Sequence, residues 1–282
     1  MKIPKRLQPL ADDGLIDSVA RQLMSGKEAM VFVVQCGTET RCAKIYKEAD
    51  KRSFRQAVDY TENRKTKNTR QARAMAKGTR FGRESQEKAW QSAEVDALYR
   101  LAAAGVRVPK PYNFLAGVLL MELVVDAEGI AAPRLNDVEF TSDEALALHL
   151  RLISEVVRML CAGVIHGDLS EFNILLAADG PVIIDLPQAV DAAGNNHAQW
   201  MLLRDVDNLR KFCGRFEPSI LATDYGNEIW ALYEAGTLAP DAKLSGRFVR
   251  VEKPVDLAAV MQEIDDIRLE EAAKQIRIAQ RE

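Results

Sequence analysis

Short apolar runs that read as strands and longer stretches with helical spacing alternate along this chain, and their order suggests two unlike halves. Strand-like runs occupy Ala29 to Gln35 and Arg41 to Tyr46 on either side of the turn GTET, after an N-terminal segment carrying apolar Leu15, Ile16, Val19 and Leu23. A helix is expected from about Glu84 to Ala104, because Ala97, Leu98 and Leu101 recur at helical spacing; Pro109 and Pro111 are expected to stop it. Phe114 to Leu123 supplies further strands, and Asp143 to Cys161 a long helix with Ser142 as its cap. The apolar pairs Ile174 and Leu176, then Ile183 and Ile184, bracket a turn, and a second helical pattern runs from Met201 to Phe212. In the tail from Val255 to Glu282, Leu257, Val260, Met261, Ile264, Ile267 and Leu269 form an apolar stripe among alternating charges, which favours packing on its own domain.

Composition narrows the class. With 282 residues, 48% of them hydrophobic, the chain can bury a substantial core. No apolar stretch approaches the roughly 18 to 20 residues of a membrane span, and the N-terminus lacks a secretory core, so a cytoplasmic protein with no membrane partner is expected. Cys36, Cys42, Cys161 and Cys213 form no CxxC pair, which fits unpaired thiols in a reducing compartment. The net charge of −3 hides a segregation. Arg64, Lys65, Lys67, Arg70, Arg73, Lys77, Arg80 and Arg83 fall in one stretch without a single acid, so the other 262 residues carry −11. Such a run is a solvated loop, a lid over a pocket, or a phosphate-contacting surface for RNA or a ribosomal particle. Phe81 is its only aromatic, so base stacking is not supported.

The candidate chemistry lies in Val164 to Leu176, VIHGDLSEFNILL, followed by VIIDLP at Val182 to Pro187. A carboxylate on a tight loop, an asparagine five residues later and a second carboxylate at a strand end are what transfer of the γ-phosphoryl group of ATP to a hydroxyl requires. Asp168 is the candidate base, with His166 bracing the loop. Asn173 and Asp185 are the candidate ligands for magnesium, or manganese in its place, because a hard cation takes one or two protein oxygens together with phosphate oxygens and water. Lys44, in the strand-like TRCAKIY, fits a lysine that contacts the α and β phosphates. Glu94 is preferred over Glu87 as its partner. Ser25, Gly26, Lys27, Glu28 and Ala29 stand where a phosphate cover is needed, although neither GxGxxG nor a Walker A spacing is present. Met121, Glu122 and Leu123 are the expected hinge to the adenine edge. One of Asp205 and Asp207 is expected to brace the catalytic loop, unless both are exposed helix charges.

Taken in order, SGKEA, AKIYK, HGDLSEFNILL and IIDLPQAV resemble the RIO family of atypical serine/threonine protein kinases, from about Asp12 to Pro218. The likeness is to its bacterial RIO-like members and to the subfamily without an N-terminal winged helix, since about two dozen residues precede SGKEA. The resemblance implies an α+β, two-lobed protein-kinase-like fold: a small antiparallel-sheet N-lobe with one main helix, a mostly helical C-lobe, and little activation segment. It implies a single domain over 1–282, with the N-lobe at 1–122 carrying the basic insertion at about 47–83, the C-lobe at 123–254 and the tail at 255–282. It implies ATP and magnesium as ligands, Lys44, Asp168, Asn173 and Asp185 in the roles given above, and an unknown protein substrate. In some members the aspartate matching Asp185 is itself phosphorylated, which makes an ATPase switch associated with ribosomes or RNA the alternative. Ser170 stands where protein kinases carry a second lysine, and about fifteen residues separate Pro187 from the next helix. A small-molecule kinase of the aminoglycoside or choline type shares HGDLxxxN, but SGKEA and the small C-terminal part argue against it.

Overall fold

The computed structural model describes residues 2–26, 29–47 and 93–249; Lys27, Glu28, Glu87, the basic stretch Arg64 to Arg83, the start of the Glu84 helix and the 255–282 tail lie outside the described residues. Contacts divide the chain into a unit Met1–Arg247 and a unit Phe248–Glu282, and every described element belongs to the first.

Five strands, β1 (Ser18–Ser25), β2 (Ala29–Cys36), β3 (Glu39–Tyr46), β4 (Pro111–Leu115) and β5 (Val118–Glu122), form one antiparallel sheet in the order β1-β2-β3-β5-β4. The β4–β5 turn puts Ala116 and Gly117 at φ 51° and 73°, the left-handed pair that a two-residue hairpin of matching twist demands. Period-2 alternation sorts the sheet's side chains. Phe32, Val34, Ala43, Ile45, Val118 and Leu120 share one cluster with Leu7 and with Leu10 of the short helix α1 (Gln8–Asp12). Tyr46 and Leu119 face the other way and join Val95, Leu98 and Leu101 of helix α2 (93–103).

That second cluster continues into the helical lobe, through Leu152, Val156 and Leu160 of α3 (Ser142–Cys161) to Met201 and Leu209 of α4 (Ala198–Cys213) and Ile229 of α5 (Tyr225–Glu234). Two short antiparallel ladders sit between sheet and helices: β6 (Val164–Ile165) with β9 (Val190–Asp191), and β7 (Ile174–Ala177) with β8 (Gly180–Ile183). This is the two-lobed α+β architecture that the sequence implied. Among the described residues no helix is long and apolar enough to cross a membrane, and all four cysteines are free.

Three local expectations change. The segment around Val19 and Leu23 is not a lead-in but strand β1. It escapes a period-2 reading because only Val19 is buried and because irregularities between Val19 and Arg21 and between Gln22 and Met24 break the register. The cap of α3 is Thr141, not Ser142: the Glu144 N–H donates to Thr141 Oγ1, and Glu144 Oε2 accepts the Thr141 N–H at 2.9 Å, a capping box. Helix α2 ends ahead of both prolines, at Gly105 (φ 75°), where the Gly105 and Val106 N–H groups return to the carbonyls of Ala102 and Leu101; Pro111 opens β4 instead.

Leu10 is fully buried beneath the sheet's outer face. Leu10→Ala should therefore lower unfolding stability by about 2–5 kcal/mol in urea titrations; a loss under about 1 kcal/mol, the scale of an exposed-site change, would mean that α1 does not close that face.

Candidate active site

The cleft between the lobes is built around one ammonium group. Ala43 and Ile45 are committed to the outer cluster, so the pleat turns Lys44 inward. Its Nζ lies 2.6 Å from Glu94 Oε1 and 3.0 Å from Asp185 Oδ1. Glu94 reaches it from the first described turn of α2, which Val95 and Leu98 anchor in the core, and its side chain is only 5% exposed. Burial by itself would lower the Lys44 pKa; Glu94 and Asp185 outweigh it and raise the pKa. Asp185 follows the end of β8 with φ 66°, a left-handed conformation that aspartate tolerates better than most residues. Burial would raise its pKa, but Lys44, then His166 and Arg134, hold it below the usual carboxylate range.

These groups border a cleft of about 780 Å³, within the range of small-molecule sites. Of the residues expected from the sequence, Gly26, Ala29, Lys44, Glu94, Met121, Glu122, Leu123 and Asp185 line it, whereas Ser25, Asp168 and Asn173 do not. Of the apolar residues that bracket the turn, Ile184 lines the cleft beside Leu175, whereas Ile174 and Ile183 are core residues. The β1–β2 turn over the cleft is held by Lys47, whose Nζ donates to the Gly26 carbonyl at 2.5 Å and lies 3.3 Å from Ser25 Oγ.

The loop carrying Asp168 is clamped from behind. Asp205 of α4, 2% exposed, accepts the N–H of Gly167 at 2.8 Å and of Leu169 at 2.9 Å, while Asn208 donates to the Leu169 carbonyl at 2.9 Å and Arg204 to the Gly167 carbonyl. Asp205 is thus the brace, and Asp207 is a half-exposed helix charge paired with Arg210 and Lys211. His166 Nδ1 accepts the Asp168 N–H at 3.3 Å, which leaves the proton on Nε2, 3.1 Å from the Ile184 carbonyl. With both neighbours buried and fixed, Asp168 is exposed at the tip of the loop.

Asn173 spends its amide nitrogen on the Asp168 carbonyl at 2.8 Å, so its Oδ1 is the group left to coordinate. Its own carbonyl accepts the Ile184 N–H at 2.9 Å, tying it to the residue before Asp185. An amide oxygen and an ionised, half-exposed carboxylate just past the Ile174–Ile183 end of one short ladder suit a hard divalent cation that completes its shell with phosphate and water.

Sequence reasoning missed Arg107. Its guanidinium meets Glu122 at 2.8 and 2.9 Å and Asp179 of the β7–β8 turn at 2.9 Å, and its N–H donates to Glu155 of α3 at 3.0 Å. The hydrogen bonds that Arg107 donates to Glu122 and then to Asp179 raise its pKa; on Glu122 burial pushes the pKa up, and the bonds from Arg107 and from the Lys110 N–H together bring it below the usual carboxylate range. The network joins the hinge strand to the helical lobe. No signal in the chain marks it, because Arg107's carboxylate partners lie 15, 48 and 72 residues away.

A lysine–glutamate pair under a five-stranded sheet, facing a clamped HGD loop and a strand-end aspartate, defines the protein-kinase-like class. The RIO domain family matches residues 30–225. The RIO-type serine/threonine-protein kinase Rio1 of Haloferax volcanii is 35% identical over 73% of this chain and 67% of its own length. The serine/threonine-protein kinase RIO3 of Caenorhabditis elegans is 32% identical over 75% of this chain but only 40% of its own. Among solved structures, the Rio2 kinase of Chaetomium thermophilum, in a complex described as ADP/Mg2+-phosphoaspartate, superposes with a TM-score of 0.53 at 26% identity, over 74% of this chain and 59% of that one. The chain belongs to the RIO family.

Burial raises the Asp205 pKa to about 6 against the lowering pull of His166, the two N–H bonds and Arg204. A carboxyl raised in the folded state contributes stability that is present below its ordinary 3.8 and lost as pH rises through about 6. The stability of the native chain relative to Asp205→Asn should therefore fall as pH rises from about 4 to about 6 and level off above. A flat or rising difference in urea titrations across that window would show that the buried carboxyl is not protonated there.

Proposed function

We propose that this chain binds ATP with magnesium in the cleft and transfers the γ-phosphoryl group to a protein hydroxyl, as a RIO-type serine/threonine kinase. The observation that carries the reading is the convergence of Lys44, Glu94 and Asp185 on one cleft wall beside the clamped Asp168 loop. Met121, Glu122 and Leu123 border the end suited to adenine, Gly26 and Ala29 border the end suited to phosphates, and the parts expected of Ser25, Lys27 and Glu28 there rest on the sequence. Lys44 donates to the α and β phosphates, and Glu94 keeps it charged and aimed. Asn173 Oδ1 and the Asp185 carboxylate would hold the magnesium, which would neutralise phosphate charge when bound. Asp168 orients the acceptor hydroxyl and takes its proton as the new O–P bond forms and the bond to ADP breaks. The archaeal and animal relatives named as serine/threonine kinases support this activity.

A second reading is favoured by the exposure of Asp185 and by the phosphoaspartate in the description of the Rio2 complex. Here an Asp185 oxygen attacks the γ-phosphorus, ADP leaves, and water later releases phosphate, so the protein cycles as an ATPase switch. Contact with ribosomal RNA through the cations from Arg64 to Arg83, and a cytoplasmic setting, belong to the same proposal and rest on the sequence alone.

The deciding experiment uses γ-labelled ATP with magnesium and compares the native chain with Asp168→Ala and Asp185→Ala, separating labelled protein from free phosphate. A kinase gives an acid-stable ester that drops by roughly two orders of magnitude or more in Asp168→Ala, with ATP affinity kept within about several-fold. Unchanged transfer in that variant removes Asp168 as the base. Mostly free phosphate, with a hydroxylamine-labile label that vanishes in Asp185→Ala, establishes the switch instead. For the basic stretch, replacing its eight cations with glutamine should flatten the salt dependence of RNA binding, and an unchanged slope would leave it a loop or lid.

A further inference from the structure

Two cations line the cleft among the described residues, Lys44 and Arg134. Lys44 is committed to two carboxylates at 2.6 and 3.0 Å. Arg134 is not: among the described residues no carboxylate stands within ion-pair distance of its guanidinium, which rests with Nη2 3.3 Å from the Met24 sulfur. A thioether is a weak acceptor, a poor match for a planar fork with five N–H donors.

The backbone beneath this side chain is fixed. Arg134 bridges Leu175 on the cleft floor, its carbonyl accepts the Asp137 N–H at 3.0 Å, the Pro133 carbonyl accepts the Leu176 N–H at 2.9 Å, and Leu135 is fully buried. From that floor the guanidinium crosses to Met24 on the opposite wall, one residue before the Ser25–Gly26 turn. It is also near enough to Asp185 to favour the ionised carboxylate there, behind Lys44 and His166 in effect. The under-used fork therefore stands between the turn that would cover phosphates and the aspartate that would hold their metal. Ser170 occupies the place of the second lysine of other protein kinases, and among the described residues of the cleft lining Arg134 is the cation that stands beside Lys44 for a polyphosphate.

The geometry points to Arg134 as the second phosphate-binding cation of the cleft, exchanging the thioether of Met24 for phosphate oxygens when a nucleoside di- or triphosphate enters. The inference rests on the nucleotide reading above and adds to it a residue that none of the loop motifs contains.

The test is calorimetric titration of the native chain, Arg134→Ala and Arg134→Lys with adenosine, AMP, ADP and ATP, with thermal melting of each variant to verify folding. Arg134→Ala should weaken ADP and ATP by about tenfold, the scale of one charge-assisted contact, while adenosine stays within about twofold. Arg134→Lys should fall between, since it keeps the charge and loses the fork. An equal loss for adenosine and ATP would make Arg134 a strut of the cleft, and no loss would make it a bystander; either overturns the inference while the nucleotide reading stands. Failure of the native chain itself to bind ATP removes that reading and this inference together.

Discussion

An ammonium group taken out of water is held charged only if opposite charge is withdrawn with it, and breaking such a buried pair leaves a penalty of about 3–5 kcal/mol. Lys44, Glu94 and Asp185 meet that condition with groups from three separate places: a central strand, the helix behind the sheet, and the second residue past a strand of the helical lobe. Mutual neutralisation therefore sets the spacing of the lobes as well as the charge of the cleft. It also prepares an exchange. Asp185 is far more exposed than Glu94, 46% against 5%, so it is the partner that can turn toward an incoming cation while Glu94 stays.

Around that triad, the two halves of the site are fixed by different physics. The Asp168 loop is held by donors and acceptors of α4, so a short loop whose backbone would otherwise be buried without partners is fully engaged at Gly167 and Leu169. The hinge side is held by Arg107, whose bidentate bond to Glu122 is geometrically specific but lies at a partly exposed surface, where ion pairs contribute little to stability. The loop is consequently the rigid reference, and relative movement of the lobes is more easily accommodated at the hinge.

How much of this was legible in the chain follows from sequence distance. The HGD loop, its asparagine and the strand-end aspartate lie within 20 residues, and Lys44 is the one cation in the short apolar run from Cys42 to Tyr46, so local pattern was enough. Glu94 meets Lys44 at 2.6 Å, and the apolar residues that follow it at helical spacing fix its face of the helix. Strand β1 was missed because its two register breaks and single buried residue erase alternation. The choice between Asp205 and Asp207 is legible in the helix itself, since the apolar stripe Met201, Leu202, Val206 and Leu209 includes position 205, and position 207 lies about 200° away on the other face. Arg107 and Arg134 act through partners brought near by the fold, and neither sits in a recognisable motif.

The substrate question turns on Asp185. A carboxylate has two oxygens, and one can bind a cation while the other remains a nucleophile, so metal ligation and phosphoacceptance are compatible on the same side chain. Its left-handed backbone fixes where those oxygens can point, and its side chain is exposed enough to meet a phosphoryl group. The Lys44 contact that keeps it ionised serves both roles, because only the anion ligates or attacks. Against this stands the geometry of external substrates. Between Leu186 and the start of α4 at Ala198 the chain forms only the two-residue strand β9 and turns. An extended peptide would find little ordered surface there to pair with, so an acceptor from another protein must be held by the loop and helices around Asp168. On either reading proposed above, an acceptor docked beside the cleft would have to compete with Asp185, which is already in it.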